Sequence, residues 1–395
     1  MSGALAPYRE RLELLASGGI IEAHLDAWGA ERSGSLDGPW RRLYGKLKPQ
    51  RSPWAVLVYE ADGGPTVRVR LFETTDDAGA GGLGGRLPWG DLGRIEVTPC
   101  EEDPALKGLP AVLAALDDAT VVRYRPGNRC TVRGSAGAAS RYVKILADAV
   151  DDQTEVRARW DATESGALSF VVAEPHGWDE QTRSSWYGVV PGGPLLPNLI
   201  GPRGAQVARQ MGRSLGELAV APLRPTRRDG PAQQLARTER GVARAAAAAP
   251  ALADRLQRAA DALVRAHEQL ASRPLVPVHG ATHMNQWLVD DTGRLGLVDF
   301  DRFAAGEPEF DLVTFLVEME AESSSLMLPL RELETAFFDG FCEVGGELDD
   351  QRLSLYARHK RLARVARTAS ALRPDAEERA ARQLEELEDV PAARW

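Results

Sequence analysis

The hydrophobic period of this chain changes from strand-like to helical near its middle, and that change limits the folds open to it. Up to about residue 190, apolar residues occur in short runs separated by turns rich in Gly, Pro and Asn, as at 121–125, 130–133 and 141–146. From Gly204 onward, long stretches rich in Ala, Leu, Arg and Glu have helical spacing. The sequence therefore predicts an α+β protein whose β-rich part precedes its helical part.

Three units are predicted from these patterns, since 395 residues exceed what one hydrophobic core normally serves. Residues 1–97 form an α+β extension with a helix at 8–28, strands at 55–59 and 66–72, and a Gly-rich loop at 78–85. Residues 98–190 form a β-meander followed by a helix at 153–163 and a crossing segment. Residues 191–395 form a helical unit that carries one hairpin. The helices expected there are 205–219, 233–248, 252–271, 311–322, 330–343, 351–371 and 376–388, with a linker at 222–231.

Charge and cysteine content exclude several classes of function. A formal net charge of −9 argues against general binding of nucleic acid through its phosphates. Cys100, Cys130 and Cys342 are scattered and lack metal-ligand spacing, which is typical of a reducing compartment. The sequence has no apolar run that could cross a bilayer. We therefore expect a soluble cytoplasmic protein with no nucleic-acid or membrane partner.

The hairpin of the helical unit gathers polar residues at both of its outer ends. Two short apolar runs, at 288–289 and 295–298, flank the turn sequence Asp-Asp-Thr-Gly, which is typical of a β-hairpin. Before the first run come His279, His283, Asn285 and Gln286, and after the second come Asp299 and Asp301. Acid, amide and imidazole groups at the open end of one hairpin predict a metal and phosphate site.

The order of residues along the chain matches what phosphoryl transfer from ATP requires. That reaction needs a turn over the phosphates, a lysine on a strand, a carboxylate to fix the lysine, and oxygen ligands for Mg²⁺. The turn at 125–129, Lys144, Glu155, Gln286 and Asp299 occur in that order.

At these residues the chain resembles the aminoglycoside phosphotransferase family of the protein-kinase-like fold. The family's loop HGDxHxxN corresponds to HGATHMNQ at 279–286, and its later acidic segment corresponds to VDFD at 298–301. A third segment, GEPEFDL at 306–312, matches the turn and Asp-Leu pair that follow. The turn sequence YRPG, the N-terminal extension and Gln286 are most similar to bacterial maltokinase-like sugar kinases. The resemblance implies a bilobal fold with ATP and Mg²⁺ bound between a small β-rich lobe and a helical lobe.

The resemblance also implies a role for each matching residue. Lys144 would hold the α- and β-phosphates, Glu155 would pair with Lys144, and Asp311 would accept N–H bonds from the catalytic loop. The residues implied at the nucleotide are Gly127, Asn128, Arg129, Lys144, Glu155, Trp186 and Val189, and those implied at the metal are Gln286, Asp299 and Asp301.

The departure from the family pattern lies at Ala281, where the family has the acid that receives the proton of the acceptor hydroxyl. Alanine cannot accept a proton, and loss of a general base typically lowers a rate by about 10²–10⁴-fold. His283, two residues away, is a hypothetical substitute base. Three explanations stay open: an engineered alanine, a natural pseudokinase, or an enzyme that uses another group.

The sequence therefore predicts an ATP- and Mg²⁺-dependent phosphotransferase that acts on a hydroxyl of a small molecule, with a sugar as the candidate class, and with activity impaired or lost because of Ala281. One alternative is a nucleotide-binding pseudokinase that serves as a protein partner or scaffold in a biosynthetic or peptide-modification pathway. Another is a kinase of Ser or Thr in a peptide.

Overall fold

The first unit of the protein is a four-stranded antiparallel sheet packed against two helices. The structure is a computed structural model, and it describes residues 6–17, 19–33, 39–48, 52–72, 94–148, 153–326, 328–373 and 375–389. The elements of this unit are α1 Ala6–Ser17, α2 Ile20–Ser33, β1 Trp40–Leu47, β2 Ala55–Ala61, β3 Thr66–Phe72 and β4 Arg94–Pro99. Leu25 and Trp28 of α2 pack with Val67 and Val69 of β3 in one buried cluster.

The sequence predicted the two central strands of this sheet, but it was wrong about the helix. The stretch 8–28 forms two helices, because the chain breaks before Ile20, where the Gly19 N–H donates to the Glu22 carboxylate at 3.0 Å. The edge strands β1 and β4 were not predicted, since Arg, Lys and Glu interrupt their apolar residues. The Gly-rich stretch 78–85 lies outside the described residues.

The second unit is a five-stranded antiparallel sheet in the order β5-β6-β7-β9-β8. Its elements are α3 Leu109–Ala115, β5 Asp117–Arg125, β6 Arg129–Ala136, β7 Ala139–Leu146, α4 Gln153–Glu164, β8 Pro175–Asp179 and β9 Ser184–Tyr187. The predicted meander and the helix at 153–163 are confirmed. Val143 and Trp186 are paired and lie on the side of the buried core, so Lys144 and its partner Ser185 lie on the opposite face.

The third unit is mainly helical, as its periodicity predicts. Its elements are β10 Gly193–Pro194, α5 Leu196–Ile200, α6 Gly204–Val220, β11 Arg228–Asp229, α7 Pro231–Ala248, α8 Ala253–Glu268, β12 Val276–Val278, β13 Trp287–Val289, β14 Leu295–Leu297, β15 Ala304–Gly306, α9 Glu309–Leu326, α10 Leu330–Glu343, α11 Asp350–Ala369 and α12 Ala376–Asp389. Short 3₁₀ turns occur at Cys100–Glu102, Pro250–Leu252 and Met284–Gln286. Together the units confirm the α+β class, while the domain boundaries at 97 and 190 stay a prediction.

The predicted hairpin is present as β13 and β14, which pair antiparallel in a sheet with β10. The Gly293 N–H donates to the Asp290 carbonyl at 2.9 Å and closes the turn. Trp287 is fully buried in the main core of the helical unit, so the hairpin is fixed to that core. None of the helices in the described part of the chain is long and apolar enough to cross a membrane.

Candidate active site

Two carboxylates that follow the hairpin meet a lysine from the small sheet. The Lys144 ammonium group lies 3.0 Å from Asp299 Oδ1 and also contacts Asp301. These residues are more than 150 positions apart in the chain, and the contact joins the β-rich lobe to the helical lobe. The sequence predicted Lys144, Asp299 and Asp301 as site residues, and the structure brings all three together.

Two arginines on the same face of the small sheet complete the charge cluster. Arg129 contacts the Asp301 carboxylate and lies 3.8 Å from Asp299 Oδ1. Arg123 lies 3.7 Å from Asp299 Oδ2 and is half exposed, so it faces the opening of the cleft. The sequence predicted Arg129 but missed Arg123. Arg123 lies two residues before Arg125 in a predicted strand, so both side chains are expected on one face of the sheet. This spacing was the signal available in the sequence.

The cluster keeps Asp299 ionised. Burial alone would raise the pKa of this carboxyl, but Lys144 and Arg129 outweigh burial and lower the pKa below its ordinary value. Asp299 also adopts a left-handed backbone with φ 66°, which is uncommon for a residue other than glycine, and strained backbone of this kind is enriched at functional sites.

The carboxylate oxygens suit a magnesium ion that is shared with a nucleotide. Mg²⁺ is usually held by one or two carboxylates together with substrate phosphates rather than by a complete protein cage. Asp299 and Asp301 supply that number, and among the described residues no group of three or more His, Cys, Asp or Glu gathers as a metal site. The donor set therefore fits Mg²⁺ that is also bound by phosphate oxygens and water.

Asp311, at the start of α9, holds the loop that leads into the hairpin. Its two carboxylate oxygens accept the backbone N–H groups of His279 at 2.6 Å and Gly280 at 2.9 Å. The Thr282 hydroxyl donates to the Asp311 carbonyl at 2.6 Å. The expectation that Asp311 is a structural acid of this loop is confirmed. Burial raises its pKa to about 7, with Lys360 and these N–H groups acting in the opposite direction.

The loop passes so close to the following segment that residue 280 must be glycine. Gly280 has φ 81°, and a Cβ atom there would lie 2.4 Å from the Arg302 carbonyl oxygen. Ala281 follows and is only 6% exposed, so its methyl group packs within the loop. Residue 281 thus lies in a loop that Asp311 holds in place, and it carries no ionisable group.

His283 and Gln286 are bonded within the loop and to α9. The His283 Nδ1 contacts Glu318, and the other oxygen of Glu318 accepts the Met284 N–H at 3.1 Å. The Gln286 amide oxygen accepts the His283 N–H at 2.8 Å. The side chain that was predicted to bind the metal is therefore hydrogen-bonded within the loop. Sequence reasoning missed Glu318. Its spacing of seven from Asp311, which puts both on one face of a helix, was the available signal.

Four other predicted residues lie apart from the carboxylates. The Glu155 carboxylate accepts the Thr226 N–H rather than pairing with Lys144, because the first turn of α4 faces the linker before β11. Trp186 packs against the core of the small lobe, on the face opposite Lys144, and Val189 is 43% exposed in the segment after β9. Gly127 lies in the turn between β5 and β6, where its N–H is bonded to Asp103.

Asn128 closes that same turn. Its N–H donates to the Arg125 carbonyl at 3.0 Å, and its carbonyl accepts the Ala147 N–H at 2.8 Å. The turn is therefore fixed to the end of β7, the strand that carries Lys144. This position agrees with a turn over the phosphates, although the contact with a nucleotide stays a prediction.

Comparison with known proteins identifies the family to which this site corresponds. The model of the phosphotransferase enzyme family (APH) matches residues 146–356, which is more than half of the chain. The match includes the loop at 279–286 and both carboxylates that follow the hairpin, and it confirms the resemblance to a phosphotransferase family. The similarity to maltokinase-like kinases stays a prediction. No curated protein sequence matches the chain.

Many solved structures match the fold, and two kinases are among them. Amicoumacin kinase hAmiN, solved in complex with AMP-PNP, Ca²⁺ and Ami, is 15% identical over 73% of this chain and 95% of its own, with a TM-score of 0.54. Choline kinase LicA from Streptococcus pneumoniae is 12% identical over 71% of this chain and 97% of its own, with a TM-score of 0.50. At such low identity these similarities show the bilobal fold alone.

Proposed function

This chain belongs to the phosphotransferase enzyme family, and from that premise we propose that it transfers a phosphoryl group from ATP to a hydroxyl of a small molecule. The observation that carries the proposal is the contact of Lys144 with Asp299 and Asp301 across the two lobes. A cation facing two carboxylates at a lobe junction is the arrangement into which a metal and a phosphate fit. Amicoumacin kinase, which shares the fold, was solved with an ATP analogue and a divalent cation.

Nucleotide binding exchanges ion pairs in this cluster. Lys144 and Arg129, which contact the carboxylates in this structure, would contact the phosphates instead, and Asp299 and Asp301 would hold Mg²⁺. Mg²⁺ neutralises charge on the phosphate oxygens when it is bound. Arg123, at the opening of the cleft, adds a further cation for the transferred group. Gln286 joins the metal ligands only if its amide oxygen leaves the His283 N–H.

The adenine lies at the segment from Trp186 to Val189 in this proposal, where the chain passes from the small lobe to the large one. The Gly188 N–H donates to the Glu174 carbonyl at 2.8 Å, which holds this segment beside the chain that leads into β8. The acceptor is a small hydroxyl compound, and a sugar is the first class to test, because the YRPG turn and the N-terminal extension are similar to those of maltokinase-like enzymes.

Ala281 sets the rate in this proposal. Phosphoryl transfer depends mostly on positioning and electrostatic stabilisation, so it continues without the acid, at a rate about 10²–10⁴-fold below that of the Asp form. His283 is the remaining base beside Ala281, and its contact with Glu318 fixes the orientation of the ring. A nucleotide-binding protein without transfer activity is the second candidate, because Ala281 is buried and cannot accept a proton.

The test compares the wild type with Ala281→Asp and with Ala281→Asn, which adds a side chain of the same shape but no base. ATP consumption is measured over a panel of sugars, aminoglycosides, choline and Ser/Thr peptides. We expect Ala281→Asp to raise turnover by about 10²-fold or more and Ala281→Asn to leave it unchanged.

The binding half of the proposal has its own measurement. Mg²⁺ with AMP-PNP at 100 times its Kd should stabilise the folded chain by about 2.7 kcal/mol, because a ligand bound only by the native state shifts unfolding by mass action. No thermal shift at millimolar nucleotide would contradict both candidates. A shift without turnover in Ala281→Asp would favour the second candidate.

A further inference from the structure

Asp103, between the first sheet and the small lobe, is buried against the turn proposed to lie over the phosphates. Its side chain is 2% exposed, and its Oδ2 atom accepts the Gly127 N–H and the Tyr124 hydroxyl, each at 2.7 Å. Gly127 is in the turn between β5 and β6, and Tyr124 is on the strand that enters it. One carboxylate oxygen therefore fixes both the turn and its leading strand.

The second oxygen of this carboxylate is bonded to the N-terminal unit. Asp103 Oδ1 lies 3.3 Å from the Arg68 guanidinium of β3 and accepts the Ala105 N–H at 3.1 Å. Arg68 is itself 7% exposed and donates to the Thr98 hydroxyl of β4 at 3.3 Å. A buried carboxylate needs a charged partner, and the first sheet supplies it here.

The residue that begins the turn makes a separate contact with the same unit. The Arg125 guanidinium lies 5.5 Å from the centroid of the Tyr44 ring of β1, within the range of a cation–π interaction. The first sheet thus reaches the turn at two points, through Arg68 with Asp103 and through Tyr44.

We propose that the N-terminal unit positions the turn over the nucleotide phosphates, with Arg68, Asp103 and Tyr44 as positioning residues. The inference rests on the proposed function and adds a role for the extension. Because the Gly127 N–H is bonded to Asp103, the turn holds Asn128 and Arg129 in a fixed geometry beside the cleft. A loop held in its binding conformation loses less entropy when the ligand binds.

Two neighbouring arginines of β3 give a matched test. Both arginines lie near Glu96: Arg68 is 3.9 Å from its carboxylate, and Arg70 is in direct contact with it. Asp103, by contrast, is paired with Arg68. We expect Arg68→Gln to weaken binding of AMP-PNP with Mg²⁺ by about tenfold, measured by titration calorimetry on the full chain, and Arg70→Gln to stay within about twofold. Hydrogen exchange in residues 125–129 should rise in Arg68→Gln alone.

The contact at Tyr44 gives a second test in case Arg68→Gln fails to fold. Tyr44→Leu removes the aromatic face and should weaken nucleotide binding by about threefold to fivefold, whereas Tyr44→Phe keeps the face and should bind as the wild type does. Equal affinity in Tyr44→Leu and Tyr44→Phe, together with wild-type exchange in the turn, would overturn the contribution of this contact.

The outcomes separate this inference from the proposed function. If Arg68→Gln is folded with wild-type affinity and exchange, or if Arg70→Gln loses as much affinity, the positioning role is wrong. If the wild type binds no nucleotide, the proposed function fails, and hydrogen exchange becomes the deciding measurement. Faster exchange at 125–129 in Arg68→Gln than in Arg70→Gln would still support the positioning of the turn, and equal exchange would refute it.

Discussion

Replacing Gly280 with alanine should destabilise the protein by about 3–4 kcal/mol, and two separate causes contribute. The first is the left-handed backbone at φ 81°, which costs a residue with a Cβ atom about 1–2 kcal/mol. The second is steric, because that Cβ atom would lie 2.4 Å from the Arg302 carbonyl oxygen, and backbone at this position cannot rotate away as a side chain could.

Relief of the contact with Arg302 requires the loop to move by roughly 0.6 Å or more. The same loop is bonded to Asp311 through the His279 and Gly280 N–H groups at 2.6 and 2.9 Å, so the movement weakens both bonds. Each hydrogen bond contributes about 0.5–1.5 kcal/mol, which supplies the rest of the expected loss.

Gly293→Ala is the matched control, because Gly293 has φ 85° in the hairpin turn and open space around its Cβ position. In urea unfolding followed by circular dichroism, the free energy of unfolding should fall by about 1–2 kcal/mol for this control. It should fall by about 2 kcal/mol more for Gly280→Ala. Equal losses would refute the reasoning, since they would mean that the loop moves away from Arg302 without cost.

Three further predictions concern the same region and its acid sensitivity. Asp311→Asn should lower the free energy of unfolding by about 2–3 kcal/mol in urea titrations, because an amide nitrogen would face a loop N–H. Asp299→Asn should weaken binding of AMP-PNP with Mg²⁺ more than tenfold in calorimetry while the chain stays folded, since one metal ligand is lost. Burial lowers the pKa of His279 to about 4 and that of His359 to about 3, so between pH 6.5 and 4 the unfolded chain binds protons that the folded chain does not. The contribution of each histidine to stability should therefore decrease by up to about 1.4 kcal/mol for each unit by which the pH is lowered, and the raised pKa of Asp311 contributes in the opposite direction. His359→Gln should change the dependence of the urea midpoint on pH between pH 7 and 5 by removing the part due to His359.

Local patterns were sufficient to predict much of the fold. The hairpin follows from a turn sequence with Asp and Gly between apolar runs, and the long helices follow from spacing alone. The edge strands β1 and β4 were missed because an edge strand can expose polar side chains, which weakens the alternation. At the break before Ile20, Gly19 has a left-handed backbone with φ 86° and its N–H is bonded to Glu22, and periodicity reveals neither feature.

The candidate site was less predictable, because its contacts join distant parts of the chain. Lys144 and Asp299 are 155 residues apart, and only the order of motifs suggested that they meet. Glu155 was expected beside Lys144 on the same reasoning, yet the structure directs it to Thr226. Helix dipoles favour acids in any first turn, so the acid at Glu155 carried little information about its partner.

The charge cluster bears on the role of Ala281. Lys144 and Arg129 stabilise the ionised form of Asp299, but this residue also adopts a left-handed backbone that costs free energy. Backbone strain of this kind is typical of functional sites. The arrangement suits a nucleotide with its metal, whose phosphates and cation would replace these ion pairs. We therefore expect an alanine at residue 281 to limit the transfer step while leaving nucleotide binding intact.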